Sequence, residues 1–338
     1  MIDYTTLIKN KSGDTVTELP QTASLTCGWY LNAPGAVTFE LPKQGSDLSS
    51  DDITLGFTEI EVYRNNSLLQ AGEIQTRSGA LNQGMIQYGA KGWLSLLEAR
   101  LVGNNIYPTS YNEVGLSAIL DNMIVNTQIG WGNIGLTVGT LATSRTAIRN
   151  YQFDTVKSAI EGLSNSNISN GLDIEITPGK VINSFYPQRG RVLDLAFSTG
   201  TNIIDHWVTE DATALTNKLT LLGAGDGANM LTSTSQSPDY LLNSYRLRER
   251  TLSFKDISDQ TTLDERAESE RLVRQVPKQI VTIHVTADDW GAYDVGDSAQ
   301  VDIDDGLIQV HGLYRMYGIE LTRSNLGRET AKIIFNPN

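Results

Sequence analysis

The chain has 338 residues, of which 40% are hydrophobic and 19% charged, and a net charge of −13. That length suits two or three domains, each with its own core. The negative balance argues against a surface that clamps nucleic-acid phosphates, because counterion release needs clustered Lys and Arg. It leaves room for DNA to slide past an acidic wall without sticking. Cys27 is the only cysteine, so no disulfide within the chain and no cysteine-based metal centre is possible. In Leu25-Thr26-Cys27-Gly28 it reads as a buried strand thiol. Met1-Ile2-Asp3-Tyr4 does not open a basic stretch followed by an apolar run, so no signal peptide is expected. No 18-residue apolar run predicts a membrane segment, and assembly in a cytoplasm is expected.

Residues 1–90 read as mostly β. Val37-Thr38-Phe39-Glu40-Leu41 alternates apolar and polar side chains and stops at Pro42. Residues 60–64 run through Asn65-Asn66-Ser67 into Leu68-Leu69-Gln70; Asn tolerates positive φ, so a hairpin is expected. Residues 85–90 form another short strand, closed by Gly89 and Gly92. At Trp93 the period changes. Residues 93–100 have helical spacing and good helix formers. Asn112 is expected to cap a helix over 113–126, with an apolar stripe of Leu116, Ile119, Leu120, Met123 and Ile124. Asp154 is expected to cap a helix that ends at Leu163. Gly-rich 129–141 reads as strand and loop, and 174–182 as a hairpin turning at Pro178-Gly179.

Strand character returns at 191–198, 206–209 and 219–222. Gly223-Ala224-Gly225-Asp226-Gly227 and 233–237 read as soft connectors; the first lacks the Lys-Ser/Thr ending of a phosphate-binding loop. A basic segment, 245–255, precedes a helix over 263–276. That helix starts at Asp264, carries a Glu270–Arg274 pair and stops at Pro277. Five strands follow, over 280–286, 298–303, 307–311, 314–322 and 328–335. Turns fall at Val295-Gly296-Asp297, Asp304-Asp305-Gly306 and Asn325-Leu326-Gly327. A sheet that pauses for some fifty residues and resumes reads as a barrel with an insertion. The expected fold class is therefore mainly β with α+β. It comprises an antiparallel β-barrel (1–90), a small α+β domain (91–185), a second β-barrel (186–225 and 277–338), and an insertion with strand and helix (226–276).

No residues stand out for catalysis, a cofactor or a metal, and no enzyme is expected. His206, His284 and His311 lack the spacing that puts two ligands on one helical face. His284, between Ile283 and Val285, is expected on an exposed strand face. There is no Gly-x-Ser-x-Gly elbow. Carboxylates are numerous enough to form a sugar-cleaving pair, but nothing selects one. Seven aspartates lie between Lys278 and Arg315 with no Lys or Arg among them. Asp302-Ile303-Asp304-Asp305-Gly306 opens like a calcium loop, yet Leu313 stands where the bidentate Glu belongs. The run reads as a solvated rim; Asp297, Asp302, Asp304 and Asp305 are candidates for an acidic surface that repels phosphate. Arg246, Arg248 and Arg250 alternate, which puts three guanidinium groups on one strand face. They read either as a charged exposed strand or as a contact with the carboxylates of a second copy. Trp93, Trp131, Trp207 and Trp290 read as core or interface anchors.

A series of short motifs runs in register along the chain. It opens with a strand-rich module through Leu19-Pro20-Gln21-Thr22-Ala23-Ser24 to Leu31-Asn32-Ala33-Pro34-Gly35-Ala36, then Gly92-Trp93-Leu94-Ser95-Leu96-Leu97-Glu98-Ala99-Arg100. It continues through Asn217-Lys218-Leu219, the Gly223–Gly227 stretch, Tyr245-Arg246-Leu247-Arg248-Glu249 and the helix with Ala267, Glu268, Arg271 and Leu272. It closes on Tyr293-Asp294-Val295-Gly296-Asp297 and Val310-His311-Gly312-Leu313-Tyr314-Arg315-Met316. In this order they resemble the tail hub proteins of tailed bacteriophages, including siphophage minor tail proteins and, more distantly, late-control D and contractile baseplate hub proteins. The resemblance spans nearly the whole chain. It implies two barrels related to tail-tube subunits and a homotrimeric ring whose six barrels give pseudo-sixfold symmetry. The implied role is that of a structural virion protein at the distal end of a tail. It would join the tail tube or a distal ring to fibre or tip proteins and leave a channel through which DNA passes without specific binding. Some relatives carry a peptidase or lysozyme-like domain after the hub; with Asn338 just past the last strand, none is expected here. The alternatives are a tail-associated cell-wall or glycan hydrolase, and a carbohydrate-binding tail module using Trp29, Tyr30 and Trp290.

Overall fold

Alternation of apolar and polar side chains builds most of this chain into strands. The computed structural model describes residues 2–337 apart from 11, 20–23, 44–50, 81–83, 103–109, 165–171, 239–244 and 256; the side chains of 130, 131 and 337 also lie outside the description. Four residues of the first motif, Pro20 to Ala23, and the side chain of Trp131 therefore fall outside it.

The N-terminal half contains β1 (Tyr4–Lys9), β2 (Thr15–Leu19), β3 (Leu25–Tyr30), β4 (Ala33–Pro42), β5 (Glu59–Arg64), β6 (Ser67–Ser78) and β7 (Met85–Lys91). They pair in the order β2-β1-β5-β6-β7-β4-β3, with every neighbour antiparallel. Asn65 and Asn66, at φ 49° and 63°, form the expected tight turn between β5 and β6. Inward residues such as Ile8, Phe39, Ile60 and Ile74 fill the core, and Phe39 stacks on Tyr88 at 5.0 Å. Cys27 is buried there, and burial pushes its thiol well above the ordinary range, as for an inert packing residue.

The middle domain opens with a 3-10 helix, Trp93–Ala99, where helical spacing was expected. It continues through β8 (Leu101–Val102), β9 (Ser110–Gly115), α1 (Leu116–Trp131), β10 (Thr137–Leu141), β11 (Thr146–Asn150), β12 (Asp154–Thr155), α2 (Val156–Ser164), β13 (Asp173–Ile176) and β14 (Val181–Phe185). The apolar stripe of α1 is buried, as its spacing requires. Two helix starts differ from expectation. Residues 110–115 are extended because they pair with β11, so α1 begins at Leu116 without a side-chain cap from Asn112. At α2 the capping oxygen belongs to Thr155, which accepts from the Ser158 N–H at 3.1 Å, rather than to Asp154. The first residues of 129–141 belong to α1, and β10 supplies the strand. The hairpin of β13 and β14 forms as its Pro178-Gly179 turn predicts.

The remaining elements are β15 (Val192–Ser198), β16 (Ile203–Asp211), β17 (Lys218–Leu222), β18 (Thr232–Gln236), β19 (Glu249–Ser253), α3 (Gln260–Arg274), β20 (Lys278–Thr286), β21 (Ser298–Asp304), β22 (Gln309–Arg323) and β23 (Glu329–Pro337). β17 does not join the second half of the main sheet, where the sequence places it. It is the centre of a separate sheet, β18-β17-β19, covered by α3 around Leu219, Leu221, Leu263 and Ala267. The soft 233–237 stretch is largely β18, whose Thr234 hydroxyl meets that of Thr220 at 3.1 Å across the strands. Asp259, not Asp264, caps α3, accepting from the Thr262 N–H at 2.7 Å. The Glu270–Arg274 pair forms on α3 as expected. Residues 307–311 and 314–322 are not two strands: Gly312 and Leu313 keep their partners Val301 and Gln300 on β21, so β22 runs through both.

The C-terminal half has the order β15-β21-β22-β23-β20-β16. The pairing of β15 with β21 is parallel and the others are antiparallel. Its core includes Val281, Ile283, Val301, Met316, Ile333 and Phe335. The two halves are not separate sheets. β22 also pairs with β3, so all 13 strands join in one sheet, and among the described residues neither half closes into the β-barrel expected for 1–90 and for 186–225 with 277–338. A register shift between Met316 and Gly318 marks where β22 leaves β21 and begins to run beside β3.

Along this seam Ile319 lies opposite Trp29 and Leu321 opposite Cys27. Trp29 packs against both cores. The Tyr30 ring lies against Gly318, where an added Cβ would come within 2.7 Å of it, and its hydroxyl donates to Glu320 at 2.7 Å. Nearby, Arg64 donates from Nε and Nη2 to the two oxygens of Glu329 at 3.0 and 2.8 Å, and Tyr4 Oη donates to Glu329 at 2.5 Å. This two-pronged ion pair ties β5 to β23, with the Glu329 side chain only 6% exposed. Burial pushes the Glu329 carboxyl up, but the hydrogen bonds from Arg64 and Tyr4 overcome that and hold it below the ordinary glutamate value.

Arg64→Leu leaves Glu329 buried without its cation, and urea unfolding at neutral pH is expected to show a loss of about 3 kcal/mol. The depressed carboxyl stabilises the fold above the unfolded glutamate value, about 4.3, and that contribution fades as pH falls through the folded value. The gap between the two proteins should therefore narrow in acid; a gap that widens there contradicts the assignment.

Candidate assembly surfaces

A buried junction ties the two halves of the sheet to the middle domain. Asn32, at φ 57° in the β3–β4 turn, donates its amide to Asp173 Oδ1 at 2.9 Å and accepts from the Ile174 N–H at 2.7 Å. Asp173 Oδ2 accepts from the Arg189 N–H at 2.6 Å and from Arg315 Nη2. Arg315 also donates to the carbonyls of Gly296 and Arg189, at 3.0 and 2.8 Å. One carboxylate, 6% exposed, thus joins the N-terminal half, the middle domain, the linker beyond β14 and the C-terminal half. Sequence reasoning missed it because these residues lie far apart along the chain, and no local pattern marks them.

The acidic candidates separate into two groups. Asp297 is buried; it accepts from the Arg191 and Asp294 N–H groups at 2.8 and 3.0 Å and shapes the turn before β21. It therefore does not stand on an exposed rim. Asp302, Asp304 and Asp305 gather at one end of the C-terminal half, on and beside the β21–β22 hairpin. Asp302 faces His311 at 3.3 Å, Asp304 accepts from the Gly306 N–H, and Asp305 meets His206 Nε2 at 3.2 Å. The His206 contact, helped by the Ile308 N–H, holds the Asp305 carboxyl below its ordinary range. His284 is on an exposed strand face, as expected. Among the described residues no group of three His, Cys, Asp or Glu side chains could hold a metal ion.

Arg246, Arg248 and Arg250 are all exposed, but only Arg250 lies within a strand, so the three do not share one strand face. Residues 246 and 248 are instead held by buried Asn217. Its amide donates to the Arg246 carbonyl at 3.0 Å, and its oxygen accepts from the Arg248 N–H at 2.8 Å. A fixed backbone thus presents exposed arginines beside the small sheet, with Arg248 Nη1 donating to the Ala212 carbonyl at 3.3 Å.

Apart from a single parallel bridge between Thr199 and Ile203, β15 and β16 leave their outer edges unpaired among the described residues. Both carry exposed apolar side chains: Val192 on β15, and Ile204 and Trp207 on β16. Trp207 is 73% exposed and projects away from Val208, which packs into the core. Leu307, fully exposed, lies beside the acidic hairpin tip. Of the other tryptophans, Trp93 is buried, its indole N–H donating to the Pro178 carbonyl at 2.8 Å. Trp290 packs 5.2 Å from Trp29, whereas Tyr30 lies across the seam.

No protein-family model matches the sequence, and no curated protein matches it either. Solved structures do match. The 43 kDa tail protein of prophage MuSo2 from Shewanella oneidensis aligns over 99% of this chain and 98% of its own, with a TM-score of 0.72 and 12% identity. The tail protein from Neisseria meningitidis MC58 aligns over 99% and 97%, with a TM-score of 0.67 and 14% identity. Prophage tail protein gp18 from Listeria monocytogenes EGD-e aligns over 99% and 94%, with a TM-score of 0.62 and 11% identity. The chain has the fold of these phage tail proteins from end to end. No helix among the described residues is long and apolar enough to cross a membrane.

Replacing His206 with Ala removes the largest influence on Asp305. A carbon-detected NMR titration should show that carboxyl rising toward the ordinary aspartate value. An unchanged Asp305 titration contradicts the contact.

Proposed function

We propose that this chain is a structural protein of a phage-type tail, a hub in which three copies close into a ring at the tail's distal end. The observation that carries this reading is the end-to-end likeness in fold to three prophage tail proteins. The architecture supports it. Each copy offers two β halves joined in one sheet, so in this reading three copies supply six β lobes to meet a sixfold tube. In the ring each half acts as a barrel. Interface burial, with no enzymatic step, is the physical basis of the role; obligate contacts bury roughly 2,000 Å² or more.

Trp207, Ile204 and Val192, on unpaired strand edges, are the apolar part of the ring contact. Arg246, Arg248 and Arg250 reach carboxylates of the next copy's closing segment other than those at the hairpin tip. Asp302, Asp304 and Asp305 extend toward the channel, where carboxylates keep DNA mobile by repelling phosphate. Its neighbours are the tail-tube or distal-ring protein on one side and fibre or tip proteins on the other, in a virion tail assembled in the host cytoplasm.

Light scattering on purified chain, followed by negative-stain imaging, tests the ring. A particle of three times the monomer mass with a central hole is expected. Trp207→Asp should reduce it to monomer, and Arg248→Glu with Arg250→Glu should weaken it roughly tenfold, about 1.4 kcal/mol. A monomer at every concentration, with or without the tube protein, contradicts the proposal.

A further inference from the structure

A cavity of about 330 Å³ opens where the two halves of the sheet meet. Trp29 of β3, together with Arg64 and Ser67 at the β5–β6 turn, lines it from the N-terminal half. Trp290, Tyr293 and Asp294, from the loop between β20 and β21, line it from the C-terminal half. Three properties define what it can hold. Its size is at the low end for ligand sites, enough for one ring-sized group. Its aromatic side is built: the Trp29 and Trp290 rings lie 5.2 Å apart at 47°, and Tyr293 stands edge-on to Trp290 at 6.5 Å. Its charges are already matched, Arg64 by Glu329 and Asp294 by Arg189 at 2.7 Å. An ionic ligand finds no uncompensated charge there.

The polar groups lie at the mouth. The Ser67 hydroxyl and the outer atoms of Arg64 and Asp294 offer donors and acceptors there, the two charges being paired within the protein. Aromatic faces beside charge-compensated hydrogen-bonding groups suit a ligand with one apolar C–H face and a rim of hydroxyls. We propose that this cavity binds a neutral pyranose, one sugar unit of a glycan, with its C–H face against the indoles. Binding at this site does not depend on ring assembly.

Saturation-transfer NMR and tryptophan fluorescence on the full chain test this, using glucose, galactose and N-acetylglucosamine, with glucuronic acid and glucose 6-phosphate as the charged arm. N-acetyltryptophanamide serves as a mimic of a protein side chain. One neutral sugar is expected to saturate with a Kd of about 1 mM, with transfer concentrated on protons of one ring face. Ser67→Trp, at an exposed position outside both cores, fills the mouth and should weaken binding at least roughly tenfold at an unchanged thermal midpoint. Trp290→Ala should weaken binding as well, with a lowered thermal midpoint because the ring packs against the C-terminal core, and Trp207→Ala should leave binding intact. The proposal is overturned if no neutral sugar saturates, if binding survives Ser67→Trp, or if a charged sugar or the tryptophan amide binds more tightly than every neutral sugar.

Discussion

The pairing of β22 with β3 is the constraint on which the rest of this molecule depends. Without it the chain would hold two β units joined only by the middle domain and ordinary linkers, with their relative placement left to side-chain contacts. With it, a continuous ladder fixes that placement through backbone hydrogen bonds. The geometry allows little variation, because a register shift of one residue would turn Ile319 and Leu321 away from Trp29 and Cys27 and exchange buried for exposed faces. Tyr30 reinforces the register by lying against Gly318, a position where no larger residue fits without moving the ring.

Two charged contacts guard the seam from either side. The Arg64–Glu329 fork joins β5 to β23, and the Asp173 junction joins both halves to the middle domain. Buried ion pairs add little net stability relative to apolar packing, but breaking one partner is expensive. They therefore act as specificity devices: a misdocked half would strand a carboxylate. The exposed apolar side chains of β15 and β16 stand outside this frame.

Much of the fold was legible in the sequence because local signals agreed with the tertiary outcome. Asn65-Asn66 marked a hairpin, Pro178-Gly179 marked another, and the α1 stripe from Leu116 to Ile124 marked a buried face. The misreadings share a cause. Residues 110–115 read as the start of a helix until β11 claims their backbone; Gly312 reads as a break until β21 continues past it; β17 reads as part of the main sheet until β18 and β19 flank it. In each case a partner distant in sequence decided the state. The junction was invisible for the same reason, since Asn32, Asp173, Arg189 and Arg315 carry no shared motif. Asp297 looked like its exposed neighbours, yet two backbone N–H groups draw it inward. Composition set the sign of the surface but not which carboxylates reach it.

Amide hydrogen exchange across the seam tests the central claim most directly. Backbone amides of β3 and of residues 318–323 should exchange as slowly as those in the middle of each half, opening only with global unfolding. Rapid exchange there, with both halves still protected, would show two independent β units and contradict the account.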